Sequence, residues 1–545
     1  MKMRLFQTLA SFNKAYILLT GFFLIGVLIR SINLWDNVIF SYDHARDAQR
    51  IWDILYKGDL KLVGAETDLP GVFHGALFYY VLAPFYFLGQ FNPNWVAQFL
   101  IIVNALCVFP LYWITRILFK KPVIAFLASA LWTVSFEQAN FSRFIAVSGF
   151  VVPSTLLFFL GLALIIIKKN TKGYLLVAIG LGLSIQANFY LVYLCGVLLC
   201  FLTAFHPKLS IRHISTALLI FLVIVSSFFI AELKWSFMAS RGLLQYAQHQ
   251  SDVMPIITSI GKYLHRISES VYYSFFSFNM FIGFLVLVGL SVVNWSKAQE
   301  RKSLTFLYLW FFSTLPLFAF ETMVVNTLAI NASIIGAITI IIALGIYHVF
   351  RIRSYIAIIL VIAIITSNIK LFVKEDFKNY SLMSITPLFW SDIRAVVDYT
   401  YKESKGEAFS ICSLSNPLFV NTLWSFSYST YGKNTYHYLP TWSGQFQDIN
   451  ASNLPYEKDK TPLRYIILEP PTALPEGSRE IVIYLEDHVT NLIGEKNIGH
   501  FTIQKRVLKK EGEKYVDTQT INSTLLEKIK YVISADPRYS CFVQH

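Results

Sequence analysis

Between residues 42 and 53 the chain reads Tyr42-Asp43-His44-Ala45-Arg46-Asp47-Ala48-Gln49-Arg50-Ile51-Trp52-Asp53, which sets five charges directly behind its first long apolar run. A carboxylate can serve as a general base, and a guanidinium can hold two oxygens of one anion, so these residue types suit acid–base work at a membrane surface. At helical spacing Asp43, Arg46, Asp47 and Arg50 fall at i, i+3, i+4 and i+7 on one face, while Ala45, Ala48, Trp52 and Leu55 line another. Such a helix would lie along the bilayer with its charges toward water or a cleft. The same charges would also suit a self-neutralising surface helix, each i,i+4 pair contributing about 0.3 kcal/mol. Position in the fold decides between the two.

Composition fixes the setting. Of 545 residues, 55% are hydrophobic and only 14% charged, and the mean hydropathy is +0.53. Repeated apolar runs of about 18 to 22 residues match the hydrocarbon slab and are too many for a soluble core, so the chain reads as an α-helical polytopic membrane protein. Spans are expected near 15–34, 95–115, 122–138, 148–167, 173–187, 189–205, 213–231, 272–294, 303–320, 327–349 and 354–371, eleven in all. Basic clusters then fall on alternate connections: Lys2, Arg4 and Lys14; Arg116, Lys120 and Lys121; Lys168, Lys169 and Lys172; Lys208 and Arg212; Lys297, Arg301 and Lys302; Arg351 and Arg353. The positive-inside rule makes that side cytoplasmic, with the N-terminus on it and the loop carrying Asp43 outside. The net charge of +13 is thus accounted for by topology, and no nucleic acid need be invoked. No small-residue cleavage signal follows the first apolar run, which argues for a retained anchor in the plasma membrane.

Two outward-facing regions are expected. The first outer loop, Trp35 to Pro93, continues past the charge cluster into Pro70-Gly71-Val72-Phe73-His74-Gly75, then an apolar run from Ala76 to Gly89 too short to span and read as a second surface helix. After residue 371 the composition shifts, and residues 372–545 are expected to form a soluble extracytoplasmic α/β domain following the membrane domain at 1–371. A helix is expected over Ser391–Tyr401, with strands at 409–412, 465–468, 481–484 and 500–503. Cys412 and Cys541 share this domain and could pair; Cys107, Cys195 and Cys200 fall in spans. There is no CxxC, HExxH, Walker loop or nucleophile elbow.

The order of these parts, an acidic residue after the first span, a D-x-x-R helix, and a P-G-x-x-H-G-x-L-F-Y-Y run before the second, resembles the outer loop of GT-C glycosyltransferases. It is most similar to family 39 proteins, relatives of protein O-mannosyltransferases and of the lipid A aminoarabinose transferase. The resemblance is architectural over 15–371 and specific over about 35–150. It implies inverting sugar transfer from a polyprenyl-phosphate donor to a protein, lipid or polysaccharide acceptor on the outer face. It also implies that the essential first-loop carboxylate is Asp43. Chemistry agrees: the acceptor hydroxyl must lose a proton while a phosphate departs, so Asp43 is the candidate base, or else the carboxylate that orients the acceptor, and Arg46 the candidate phosphate clamp.

His74, before the second surface helix, is a candidate donor to sugar or phosphate. Glu137 and Arg143 in the second outer connection, and Glu232 at the end of the seventh span, are further candidate substrate contacts, each open to a plain interfacial or packing role. Asp43, His44 and Asp47 could together supply two or three metal ligands, but the spacing is generic, no cofactor is required and no metal is assigned. Two other classes compete. A transporter or flippase for lipid-linked glycans would place charges within the spans and show repeat symmetry. A non-catalytic receptor binding glycan or peptide through its outer domain would not need the carboxylate.

Overall fold

The computed structural model describes residues 2–249, 254–297, 300–320, 331–375, 387–416, 420–443, 453–455, 461–474 and 477–509. Cys541 and the start of the tenth expected span, 327–330, lie outside them. Cys412 is buried and disulfide-bonded. By contacts the chain groups into two compact units: the first is Met1–Leu34, Leu60–Leu82 and Ala97–Lys378, the second Trp35–Asp59, Ala83–Val96 and Asn379–His545. This grouping differs from a single cut at 371, because part of the first outer loop packs with the C-terminal residues.

The first unit is a multi-pass membrane bundle. Among the described residues five helices are long and apolar enough to cross a bilayer: Lys14–Asp36, Pro93–Phe119, Ser148–Lys168, Ile335–Ile352 and Ser354–Lys374. A sixth crossing would come from Ile211–Ile224 and Ser226–Lys234, which meet at 53°. Further apolar helices, including Pro122–Val134, Lys172–Ala187 and Met280–Ser296, run for 10–17 residues. An eleven-span topology therefore needs these shorter helices to complete crossings. Lys172–Ala187 lies close against Val151–Ala163 because both present glycine: a Cβ on Gly161 would fall 2.6 Å from Val177 N, and one on Gly180 only 2.3 Å from Phe158 N. Small residues at such crossings let backbones approach where lipid offers no hydrophobic drive.

The 53° bend has a visible cause. Gln186, buried at the end of its helix, donates from Nε2 to Ile224 O at 2.7 Å and to Ser227 Oγ at 3.1 Å, taking up a carbonyl at the break between the two helices. Its Oε1 accepts from Leu77 N at 3.3 Å, tying in the antiparallel hairpin of β1 (Val63–Glu66) and β2 (Phe73–Gly75). Gly75 permits this approach, since a Cβ there would overlap the Gln186 side chain.

In the second unit, a short segment and a helix from the first loop join the C-terminal residues. Phe40 N donates to Leu388 O, and Trp390 N to Val38 O, both at 2.8 Å. The fully buried Phe40 ring lies 5.0 Å from Trp390 and 5.6 Å from Phe426. A mixed five-stranded sheet in the order β4-β3-β5-β7-β6 forms the core, from β3 (Phe409–Leu414), β4 (Thr441–Trp442), β5 (Leu463–Leu468), β6 (Thr490–Ile498) and β7 (Phe501–Leu508). β3 pairs parallel with β4 and β5, whereas β7 pairs antiparallel with β5 and β6. All six positions of β5 are buried, as its apolar run requires for a central strand.

The helix expected at 391–401 lies within Trp390–Ser404, and the strands expected near 409, 465 and 500 correspond to β3, β5 and β7. The strand expected at 481–484 does not form: those residues belong to the helix Ser478–Val489. Gly477, left-handed at φ 81°, precedes it, and Glu480 sits in its first turn, where a carboxylate favours a helix N-terminus. Val482 and Ile483 then pack on one face against Cys412, Leu414, Ile466 and Leu468. A run of four β-branched and aromatic residues is too short to fix its own period, and tertiary packing decided it.

Replacing Gln186 by Leu should leave the Ile224 carbonyl and the Leu77 amide without their partner and cost about 1–3 kcal/mol. The check is a detergent thermal-denaturation midpoint that falls for Gln186→Leu but holds for Gly21→Ala, where an added Cβ meets nothing within 4 Å.

Candidate active site

The charge cluster does form a helix, Tyr42–Lys57, and the second surface element is the helix Leu77–Leu88. Ser41 caps the first in extended conformation, and its N–H donates to His44 Nδ1 at 3.0 Å, so the His44 proton sits on Nε2. Burial pushes His44 down to about 4, against the carboxylates of Asp43 and Asp47, which raise it, so this histidine is neutral at physiological pH. The helix ends in left-handed Gly58, whose N–H bonds Asp53 O.

The buried stripe is His44, Ala45, Ala48, Gln49 and Ile51, with Ala45, Ala48 and Ile51 fully buried. Trp52 is half-buried and Leu55 is 37% exposed, so the apolar face lies nearer the start of the helix than the expected line through Trp52 and Leu55. The stripe packs on the helix Thr422–Ser427, and Gln49 Oε1 accepts from Asn453 Nδ2 at 2.7 Å.

The charges take different roles on this scaffold. Asp43 is 69% exposed and is held at Oδ1 by Arg46 at 2.6 Å. Arg46 is only 14% exposed, lies over the Tyr42 ring at 5.5 Å, and also reaches Asp47 Oδ1 at 3.1 Å. One guanidinium thus bridges two carboxylates, one open to solvent and one at 15% exposure. Asp53 accepts from Gln49 at 3.2 Å and pairs with Lys57 at 3.0 Å, which anchors the last turns. Asp43, His44 and Asp47 do not converge: among the described residues no three His, Cys, Asp or Glu side chains gather to hold a metal ion.

The remaining candidates belong to the first unit and form separate clusters there. Glu137, on the short helix Phe136–Arg143, is buried and accepts from Ser270 Oγ at 3.1 Å and from Ser274 Oγ. The Arg266 guanidinium lies close enough to act on the same carboxylate. Arg266 itself holds Glu269 at 2.5 Å. Ser270 and Ser274 are partners that sequence reasoning missed, although their i,i+4 spacing on Ile256–Ser274 places them on one face with Arg266.

Arg143 turns the other way. Its Nε donates to Arg30 O at 2.8 Å and its Nη2 to Ile32 O at 2.7 Å, closing the end of the first span helix. Arg30 in turn donates to Thr133 O and Trp132 O at 3.0 and 3.1 Å, closing the helix Pro122–Val134. These bonds tie Arg143 to the end of the first span.

Glu232 likewise accepts from Ala239 N at 2.9 Å and Ser240 N at 3.1 Å, capping the helix Met238–His249. It also edges a cavity of about 140 Å³ lined by Gly71, Phe73, Phe228, Trp235 and Met238. His74 Nδ1 accepts from Phe189 N at 3.2 Å, and its ring meets Tyr190 edge-on.

No protein-family model matches the chain, and no curated protein matches it by sequence. The likeness is structural. ArnT from Cupriavidus metallidurans bound to undecaprenyl phosphate superposes with a TM-score of 0.54 at 9% identity, covering 89% of this chain and 97% of that one. The archaeal oligosaccharyltransferase AglB from Archaeoglobus fulgidus, in complex with an inhibitory peptide and a dolichol-phosphate, aligns at 12% identity over 84% of this chain and 70% of its own, with a TM-score of 0.48. At 9% identity the likeness to ArnT is one of fold.

Proposed function

We propose that this protein is a membrane glycosyltransferase that moves a sugar from a polyprenyl-phosphate donor to an acceptor hydroxyl on the extracytoplasmic face, with inversion. The observation that carries it is the exposed Asp43 carboxylate at the head of a surface helix, directly after the first span, in a chain that shares its fold with a transferase bound to undecaprenyl phosphate over nearly the whole length of both.

In this reading the acceptor oxygen attacks the anomeric carbon as the carbon–oxygen bond to phosphate breaks, which inverts that centre in a single displacement. Asp43 accepts the hydroxyl proton, and its exposure leaves it open to an incoming acceptor. Arg46 stabilises the departing phosphate by exchanging one of its two carboxylate partners for phosphate oxygens, a geometry that guanidinium serves better than ammonium. Side chains supply both functions, so the reaction needs no cofactor. Glu137 and His74 are proposed substrate contacts, and Arg143 and Glu232 serve through the helix ends they close. Eleven spans with a cytoplasmic N-terminus would put Asp43 and the C-terminal residues outside, where those residues would tune acceptor binding.

Asp43→Asn should abolish transfer, by about 10²–10⁴-fold for loss of a general base, while the protein still inserts and elutes as a single species. Near-normal turnover in the purified variant would remove Asp43 from the mechanism. The donor and acceptor are found by mass spectrometry of lipid-linked sugars and glycoconjugates in cells with and without the protein.

Arg46→Ala should raise the KM for donor more than that for acceptor. Equal losses for both substrates would speak against a phosphate clamp.

A further inference from the structure

One face of the helix Ser354–Lys374 has a chemical gradient that the roles above leave unused. Ile359, Ile362, Ala363, Thr366, Ser367 and Lys370 recur at i, i+3, i+4, i+7, i+8 and i+11, a single stripe about 16 Å long. The stripe passes from apolar side chains through two hydroxyls to a cation. It lines a groove of about 320 Å³ whose other wall is Ser277 and Phe278. Ser277 Oγ donates to Ser367 O at 3.0 Å and so pins the wall to the helix.

The surfaces in the groove are open: Ile359, Ile362 and Phe278 are each more than half exposed. Lys374, one turn on, pairs with Glu375 at 3.7 Å, whereas no ion pair holds Lys370 among the described residues. A lysine four residues from the end of a span reaches headgroup depth, and Ile362 and Ile359, about two and three turns before it, lie at hydrocarbon depth. A lysine snorkelling from a smooth lipid-facing helix would need no walled channel beneath it. The match is to an amphiphile with an anionic head and a long apolar chain, the head set by Lys370 and the chain by the isoleucines.

We propose that this groove seats a phosphate-bearing isoprenoid lipid, its chain along Ile359, Ile362 and Phe278 and its phosphate on Lys370 beside Thr366. The proposal rests on the lipid-linked transfer described above and assigns that reaction's carrier a docking place within the first unit.

The test uses full-length protein in phosphatidylcholine nanodiscs and undecaprenyl phosphate carrying a diazirine near its phosphate end, with cross-links mapped by mass spectrometry. The expected result is label within 277–278 and 359–370, and capture reduced about tenfold by Lys370→Glu, the size of one lost charge-assisted hydrogen bond. Ile362→Trp, which fills the groove without touching the charge, should lower capture similarly, and Lys370→Arg should retain it. Capture unchanged in both Lys370→Glu and Ile362→Trp overturns the proposal. So does displacement of the probe by an equal amount of phosphatidylglycerol, which would mark a general anionic-lipid surface. A parallel transfer assay separates the two readings: unaltered capture and donor KM in both Lys370→Glu and Ile362→Trp, with transfer intact, removes the groove and leaves the function. Groove-specific capture by a protein that transfers no sugar from any lipid-linked donor removes the function and leaves the groove.

Discussion

A helix that ends inside a membrane bundle leaves carbonyls that water cannot reach, and the first unit is organised around satisfying them. Arg30 closes the helix Pro122–Val134, Arg143 closes the first span, and Gln186 takes up the carbonyl at the 53° break. Asn368 does the same on both sides: it accepts from Phe136 N at 2.7 Å and donates to Ser274 O at 3.0 Å. Each unsatisfied group at such depth would cost several kcal/mol, about as much as a domain can spare. These polar residues therefore fix where helices stop, and the short helix bearing Glu137 is held between two of them.

The second unit solves a different problem. A helix of sixteen residues with six charges cannot fold on its own propensity. Its stability comes from one apolar face, the stripe through Ala45, Ala48 and Ile51, and from a cap in which a neutral buried histidine takes the place usually filled by Glu or Gln. Arg46 then lies between a half-buried and an exposed carboxylate, which keeps a cation beside Asp43 with little freedom to leave. Ion pairing on this helix therefore leaves one carboxylate, that of Asp43, open to solvent.

The membrane character, the two surface helices of the first loop and most of the sheet were legible because hydrophobic period and run length are local signals. The helix at Ser478–Val489 was not, since four β-branched and aromatic residues carry no period of their own. Nor was β6, whose exposed residues show no alternation and which is a strand because β7 offers it an edge. The helix bearing Asp43 and Arg46 and their i,i+3 pairing could be read from spacing. The partners of Glu137 could not, because Ser270 and Ser274 lie more than 130 residues away and a serine announces no role. Arg143 and Glu232 carry charges that looked chemical, and their bonds to helix ends could be seen only in three dimensions.

Phe40 binds the residues that follow the first span into the same core as Trp390 and Phe426. The helix carrying Asp43 and the C-terminal segment are therefore one unit of inheritance, although more than 300 residues separate them in the chain. A chimaera that imports another protein's C-terminal segment but keeps this loop would set Phe40, Ala45 and Ile51 against a foreign surface, so a swap that preserves this core requires 35–59 to travel with the residues after 379.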